Sequence, residues 1–271
     1  MADLDVIILA GGYARRLSPI TDYTPKPLLH VGGVPLLYFV IRNVLEINPN
    51  KIIISTNKRF ENDFRWFLKT LPSFFPISLL DKILLVIEPS KREEEKLGAI
   101  GGLYYAINKL SLYNSNLLII LGDNLFDGFD LNEIVFLGHR TNKITIASCD
   151  IKNLEEAKKY GILEVEWDNN LKSYVIKNFE EKPEKPKSTL VSIGIYYIPK
   201  EKIKTIRDYI EEGNNKDAIG KFFEYLIKRG EKILTYIYEN GYWIDIGTLK
   251  TYEEANRYVI EKGLNQRFIW P

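Results

Sequence analysis

Val6-Ile7-Ile8-Leu9-Ala10-Gly11-Gly12-Tyr13-Ala14-Arg15-Arg16-Leu17 lies near the amino end, and Thr24-Pro25-Lys26-Pro27-Leu28 follows after a polar stretch. An apolar run of strand length empties into two glycines, where backbone amides can approach an anion closely, and two arginines and a lysine follow within one loop. This is how a chain grips a triphosphate. The spacing excludes two familiar forms of that grip. A Walker loop needs Gly-x-x-x-x-Gly-Lys-Ser/Thr, and a dinucleotide fingerprint needs Gly-x-Gly-x-x-Gly running straight into a helix. Here the cations lie on both sides of Pro19, and the last of them, Lys26, is held between two prolines. Read without its surroundings, the segment is also a glycine-rich turn with solvated arginines.

Working outward, short apolar runs alternate with helical patterns. Strands are expected at Val6–Ala10, Lys51–Thr56, Ile83–Ile87, Leu117–Gly122 and Ile144–Ser148, and helices at Leu36–Ile47, Phe60–Thr70, Ala99–Lys109 and Leu131–Arg140. Such alternation implies right-handed βαβ crossovers and ligands at the carboxyl ends of the strands. The fold class is α/β, a Rossmann-like three-layer α/β/α arrangement with a mixed, mostly parallel central sheet. Later, Ile162–Val165, Tyr174–Phe179 and Val191–Tyr197 read as an antiparallel extension; helices Ile203–Glu212 and Gly220–Arg229, a strand Ile233–Tyr238 and a helix from Leu249 to about Glu261 follow.

Composition narrows the function. The net charge of +1 over 271 residues offers no excess of positive charge for nucleic acid or an anionic membrane, so phosphate binding must be local. The amino terminus is acidic, and no apolar run reaches the roughly 18 residues of a membrane span, so a cytoplasmic protein is expected. Cys149 is the single cysteine, which excludes an intramolecular disulfide and a cysteine-built metal site, and two histidines are too few for a histidine-built one. The Lys, Glu and Ile bias matches that of hyperthermophiles.

The opening resembles the sugar-1-phosphate nucleotidyltransferases, also called nucleotide-sugar pyrophosphorylases. Their Gly-Gly-x-Gly-Thr-Arg-Leu-x-Pro-Leu-Thr and Pro-Lys-Pro elements are matched at Gly11, Gly12, Arg16, Leu17, Pro19, Thr21, Pro25, Lys26 and Pro27; Ala14 and Arg15 depart from the family's glycine and threonine. The resemblance covers Val6 to about Glu261. It implies one catalytic domain over residues 1–271 of the nucleotide-diphospho-sugar transferase type, with Ala10, Gly11, Gly12, Arg16, Lys26 and Gly98 on the nucleotide and Arg16, Lys26 and Lys182 as catalytic cations. No hexapeptide repeat is present, so no left-handed β-helix and no acyltransferase activity are expected.

Two aspartates complete the chemistry. In Leu118-Ile119-Ile120-Leu121-Gly122-Asp123-Asn124 a buried strand delivers a carboxylate to the sheet edge; alone, a Gly-Asp pair is also an ordinary turn. A hard oxygen ligand beside phosphates suggests Mg²⁺, which keeps several waters and takes only one or two protein carboxylates. Gly241-Tyr242-Trp243-Ile244-Asp245-Ile246-Gly247-Thr248 offers Asp245, which on its own is a structural carboxylate. The family carries Leu-Gly-Asp-Asn and Gly-Tyr-Trp-x-Asp-x-Gly-Thr at these points, and the resemblance makes Asp123 and Asp245 the metal ligands. Asp127 is expected in a loop and Asp130 at a helix cap. Thr248 is expected as an N-cap, without a capping box because Thr251 replaces the usual Glu.

A third set is Tyr160-Gly161-Ile162, Phe179-Glu180-Glu181-Lys182-Pro183 and Val191-Ser192-Ile193-Gly194-Ile195-Tyr196. A lysine suits an acceptor phosphate, and a carboxylate suits vicinal hydroxyls. The resemblance implies that Gly122, Tyr160, Gly161, Glu181, Lys182 and Gly194 bind the sugar, with Ser192 where asparagine is frequent. Asp217 is a lesser candidate. The segment from Glu88 to Leu103 is expected to choose the base and leaves it open.

The reaction expected is Mg²⁺-dependent transfer of a nucleotidyl group from a nucleoside triphosphate to a sugar-1-phosphate, releasing pyrophosphate. Glucose-1-phosphate with dTTP or UTP is preferred; alternatives are mannose-1-phosphate guanylyl transfer, or an inactive regulatory subunit of the same fold. A glycosyltransferase would carry Asp-x-Asp where Gly-Asp-Asn stands. Phe268 and Trp270 suggest a homo-oligomer contact or a tail folded onto its own domain.

Overall fold

The computed structural model describes residues 3–13 and 17–268, the side chains of Arg267 and Phe268 excepted. Its central sheet has nine strands: β1 (Leu4–Leu9), β2 (Lys51–Asn57), β3 (Ile83–Glu88), β4 (Asn116–Leu121), β5 (Thr145–Asp150), β6 (Gly161–Asp168), β7 (Ser173–Glu181), β8 (Leu190–Ile198) and β9 (Leu234–Ile237). The lateral order is β3-β2-β1-β4-β8-β5-β9-β7-β6. β3, β2, β1 and β4 are parallel neighbours, as are β5 and β9, while β7 and β8 run against the rest. The mixed sheet forecast from the alternation is present, with strand ends shifted by a few residues.

Seven longer helices flank the sheet: α1 (Leu36–Glu46), α2 (Glu61–Thr70), α3 (Gly98–Leu110), α4 (Leu131–Thr141), α5 (Lys204–Glu211), α6 (Ile219–Lys228) and α7 (Leu249–Glu261). Alternation along β1 sends Val6 and Ile8 into the core beneath α1, α2, α4 and α7, and Ile7 into the core beneath α3, α5 and α6. Covered on both faces, β1 and its neighbours read as continuous apolar runs. The three layers are thereby established.

β8 is no peripheral extension. It inserts between β4 and β5 at the middle of the sheet, and all 9 of its residues are buried. Its run Leu190-Val191-Ser192-Ile193-Gly194-Ile195-Tyr196-Tyr197-Ile198 suits a site covered on both faces, which an edge would leave half in water.

Two local features differ from expectation. Asn124–Asp127 and Tyr242–Asp245 form an antiparallel ribbon, so Asp127 ends a strand rather than lying in a loop. Arg42 donates to its Oδ1 at 3.3 Å and the Tyr258 hydroxyl to its Oδ2 at 3.1 Å. Thr248 does open a capping box: its Oγ1 accepts from the Thr251 amide at 3.2 Å, and Thr251 Oγ1 accepts from the Thr248 amide at 3.1 Å. A threonine hydroxyl reaches back as a glutamate would. Asp130 caps α4 as expected, accepting from the Asn132 amide at 2.9 Å. Ala14, Arg15, Arg16, Trp270 and the Phe268 side chain lie outside the described residues. Among the described residues no helix is long and apolar enough to cross a membrane.

Candidate active site

The parallel register aligns the site. Leu9 is partnered by Ser55 on β2 and by Leu121 on β4, so Gly11 and Asp123, each two residues further on, emerge side by side at the carboxyl edge. The ribbon supplies the second carboxylate. Asp245 lies opposite Asn124 in its register, which brings it beside Asp123. Asn124 fixes that neighbour's direction, donating from Nδ2 to Asp123 Oδ1 at 2.9 Å while its own Oδ1 accepts from Trp243 Nε1 at 3.1 Å.

Lys26 closes the cluster. Pro25 and Pro27 restrict the backbone on both sides, and Lys26–Leu28 forms one 3₁₀ turn. The residue is 6% exposed, and its Nζ lies 2.8 Å from both Asp123 Oδ2 and Asp245 Oδ1. Burial alone would lower its pKa; the charges of Asp123 and Asp245 reverse this and hold the ammonium above the ordinary lysine value. Two carboxylates converge on one cation. Hard oxygen donors in this arrangement fit a divalent ion, and the ammonium now stands where a cation balances them. No group of three or more His, Cys, Asp or Glu suited to a metal occurs among the described residues, so remaining ligands would come from phosphate and water.

Two clefts meet at Lys26, Leu121 and Asp123. The larger, of about 480 Å³, is lined by Ala10, Gly11, Gly12 and Gly98, four of the expected nucleotide residues, and also by Asp217. Its far wall is the start of α3, whose amides at Ala99 and Ile100 donate to the carbonyls of Asp217 and Lys216 at 3.3 and 2.9 Å. Gly98 makes this approach with φ +76, where an added Cβ would strike the Lys216 backbone. Lys96 pairs with Asp217 at 2.8 Å across the rim.

The smaller cleft, of about 200 Å³, brings together Asp245, Tyr160, Gly161, Glu181, Lys182 and Gly194. Lys182 adopts φ +49 immediately before Pro183, an uncommon backbone state for a side-chain-bearing residue, and its amide donates to Tyr160 O at 3.0 Å. Its Nζ lies 3.6 Å from Glu181 Oε1. Burial raises the Glu181 pKa, against the pull of Lys182 and Lys221. Gly122 lines neither cleft: its amide donates to Leu9 O at 2.9 Å, packing β4 against β1. Arg16 lies outside the described residues.

Sequence reasoning missed Lys159, Thr248 and Thr251 as site residues in the smaller cleft and Tyr13 in the larger one, whereas Tyr196 lies in the third motif set and Glu88, Glu93 and Lys96 in the segment expected to choose the base. A signal existed for Glu88, the charged residue that ends the apolar run of β3 just before Pro89.

Residues 5–262 match the profile of the nucleotidyl transferase family. The chain belongs to that family. It is 28% identical over 97% of its length to a glucose-1-phosphate adenylyltransferase of Mycoplasma mobile, covering 68% of that protein, and 30% identical over 96% of its length to the bifunctional protein GlmU of Methanocaldococcus jannaschii, covering 55% of it. It therefore spans about two thirds or less of these relatives. Among solved structures, one described as a Bacillus anthracis glucose-1-phosphate thymidylyltransferase in complex with a sucrose superposes with TM-score 0.75 at 25% identity, covering 94% of each chain. A UDP-glucose pyrophosphorylase complexed with UDP-glucose gives TM-score 0.78 at 23% identity, covering 97% of this chain and 100% of that one, a likeness of fold.

Proposed function

We propose that this nucleotidyl transferase family member condenses a nucleoside triphosphate with a sugar-1-phosphate, releasing pyrophosphate. The observation that carries the reading is the junction of the two clefts at Lys26, with Asp123 and Asp245 on its ammonium. The triphosphate lies along Ala10, Gly11, Gly12 and Gly98, and the sugar phosphate along Tyr160, Gly161, Glu181, Lys182 and Gly194. A sugar-phosphate oxygen attacks the α-phosphorus, a new P–O bond forms, and the bond to pyrophosphate breaks.

The attacking oxygen is already ionised, so no general base is required, and the protein contributes positioning and charge neutralisation. Lys26 and Arg16 neutralise the triphosphate, and Lys182 holds the acceptor phosphate. Asp123 and Asp245 would hold a divalent cation, Mg²⁺ by its preference for few carboxylates, which when bound offsets charge on the phosphates. Glu181 accepts from sugar hydroxyls.

Glucose-1-phosphate is the proposed acceptor, supported by relatives named for glucose-1-phosphate or UDP-glucose. The sequence resemblance favoured dTTP or UTP; the curated relatives add adenylyl transfer. The 271 residues act as one catalytic domain, and a cytoplasmic setting supplies both substrates. The test is pyrophosphate release with Mg²⁺ across five triphosphates and glucose-, mannose-, galactose- and N-acetylglucosamine-1-phosphate. Turnover that needs both substrates supports the reading. Nucleotide binding without turnover on any acceptor favours a regulatory subunit instead.

A further inference from the structure

The central sheet ends in two strands of opposite character. β6, at one edge, carries Glu164, Glu166 and Asp168, and its register with β7 shifts between Ile176 and Asn178. Charges and a bulge are the usual guards of an exposed edge. β3, at the other edge, reads Ile83-Leu84-Leu85-Val86-Ile87-Glu88; it pairs with β2 without a shift and has no charge before Glu88. Ile83, Leu84, Leu85 and Ile87 are only half-buried there.

Backbone alternation tells which groups of β3 look outward. Lys82 O accepts from the Ile52 amide at 2.9 Å and Ser90 O from the Lys58 amide at 3.0 Å, so the even-numbered residues face β2. Ile83, Leu85 and Ile87 turn their amides and carbonyls away from the sheet, and nothing bonds to them there among the described residues. Pro89, with no amide, ends the edge.

We propose that β3 pairs with β3 of a second copy of this chain, antiparallel, about a two-fold axis at Leu85. The outward residues are symmetric about that position. Ile83 meets Ile87 of the copy, Leu85 meets Leu85, and Ile87 meets Ile83, each pair exchanging both backbone hydrogen bonds, so no outward group is left over. Charge selects the same arrangement. A shallow groove of about 440 Å³ beside Leu85 and Ile87 is lined by Lys58, Arg65, Lys91 and Lys109, against the buried Glu88 and Glu61, which Lys58 and Arg65 share. Asp81 is exposed just before the strand, and Lys82 beside it is held by Asn48 Oδ1 at 2.6 Å. In the antiparallel register Asp81 stands opposite Pro89 of the copy and enters that cationic groove, whereas a parallel pairing would set Asp81 beside Asp81. The clefts at the carboxyl ends of the two sheets then open in opposite directions.

The experiment is sedimentation equilibrium of the full chain over a concentration series, with hydrogen exchange followed amide by amide at both ends of it. A dimer that dissociates on dilution is expected. In the dimer the Ile83, Leu85 and Ile87 amides should exchange about tenfold or more slowly, while those of Leu84 and Val86, which face β2, change little. Ile87 belongs to neither of the two main cores, so Ile87→Lys should keep the fold; its charge against Ile83 of the copy should raise the dissociation constant about tenfold or more. Asp81→Lys should raise it about threefold or more at low salt and less at high salt. A wild type that stays monomeric at about 1 mM overturns the pairing and leaves the edge to another chain. So does a dimer whose three outward amides exchange as fast as in the monomer, a result that needs no variant and places the contact elsewhere. An unchanged dissociation constant in folded Ile87→Lys overturns it as well, and one unchanged in Asp81→Lys overturns the antiparallel register.

Discussion

Lys26 Nζ lies 2.8 Å from Asp123 Oδ2 although 97 residues separate them in the chain. The same ammonium is equally close to Asp245. One buried cation therefore balances two carboxylates that the family reading assigns to a divalent ion. For the ion to enter, the ammonium must leave them, and a triphosphate offers it a new counter-charge.

Replacing Lys26 by Met should separate these effects. Without divalent metal the variant loses about 1–2 kcal/mol of stability, less than a fully buried pair because Asp123 and Asp245 are partly solvated. Adding Mg²⁺ should raise its melting temperature more than that of the wild type. Equal responses of the two melting curves to Mg²⁺ would count against the exchange of cations.

Asp123 and Asp127 are four positions apart with different expected fates. Asp123→Asn should lower kcat/KM by about 10²–10³, the scale of losing one charge-stabilising group. Asp127→Asn should leave kcat/KM within about twofold and cost roughly 1 kcal/mol of stability through its bonds to Arg42 and Tyr258. Steady-state kinetics with thermal melts distinguishes them.

Burial raises the Glu88 pKa, and the Ser55 hydroxyl offsets this only in part. A raised folded pKa means that ionisation burdens the folded state: stability from this group is intact below the ordinary glutamate value and is lost as pH climbs through the raised one. Glu88→Gln should therefore melt higher than wild type at neutral pH, with the gain shrinking as pH falls toward the ordinary glutamate range. A gain that grows on acidification contradicts this.

Thr248 caps α7 and lines the smaller cleft. Thr248→Ala should cost about 1 kcal/mol and raise KM for the sugar phosphate more than for the nucleotide. Urea unfolding and initial rates measure the two effects separately.

The strands bearing Gly11 and Asp123 were legible because a buried parallel strand must be an apolar run, and the residues just past its end must be those that serve the edge. The family's fixed positions marked Asp245 and Lys182. What was not legible came from encounters. The Asn124–Asp127 and Tyr242–Asp245 ribbon pairs two four-residue segments, too short for periodicity to register. Lys26 looked like a phosphate ligand alone, because its two aspartates reach it only through that ribbon. The position of β8 follows from burial on both faces, whereas its proximity in sequence to the β6–β7 hairpin suggested the edge. Glu88 stood only as the first residue of the segment expected to choose the base, and the closeness of Gly11 and Gly102 to its carboxylate gives it a place in the cleft.

The ribbon also governs when the centre comes into being. Lys26 and Asp245 are 219 positions apart, and their meeting waits on the synthesis of the strand Tyr242–Asp245. A nascent or truncated copy lacking Tyr242–Asp245 keeps its glycine loop but has only one of the two carboxylates. A chain broken before Tyr242 therefore lacks the second carboxylate, and the meeting of Lys26 with both aspartates becomes a sign that synthesis has passed Asp245.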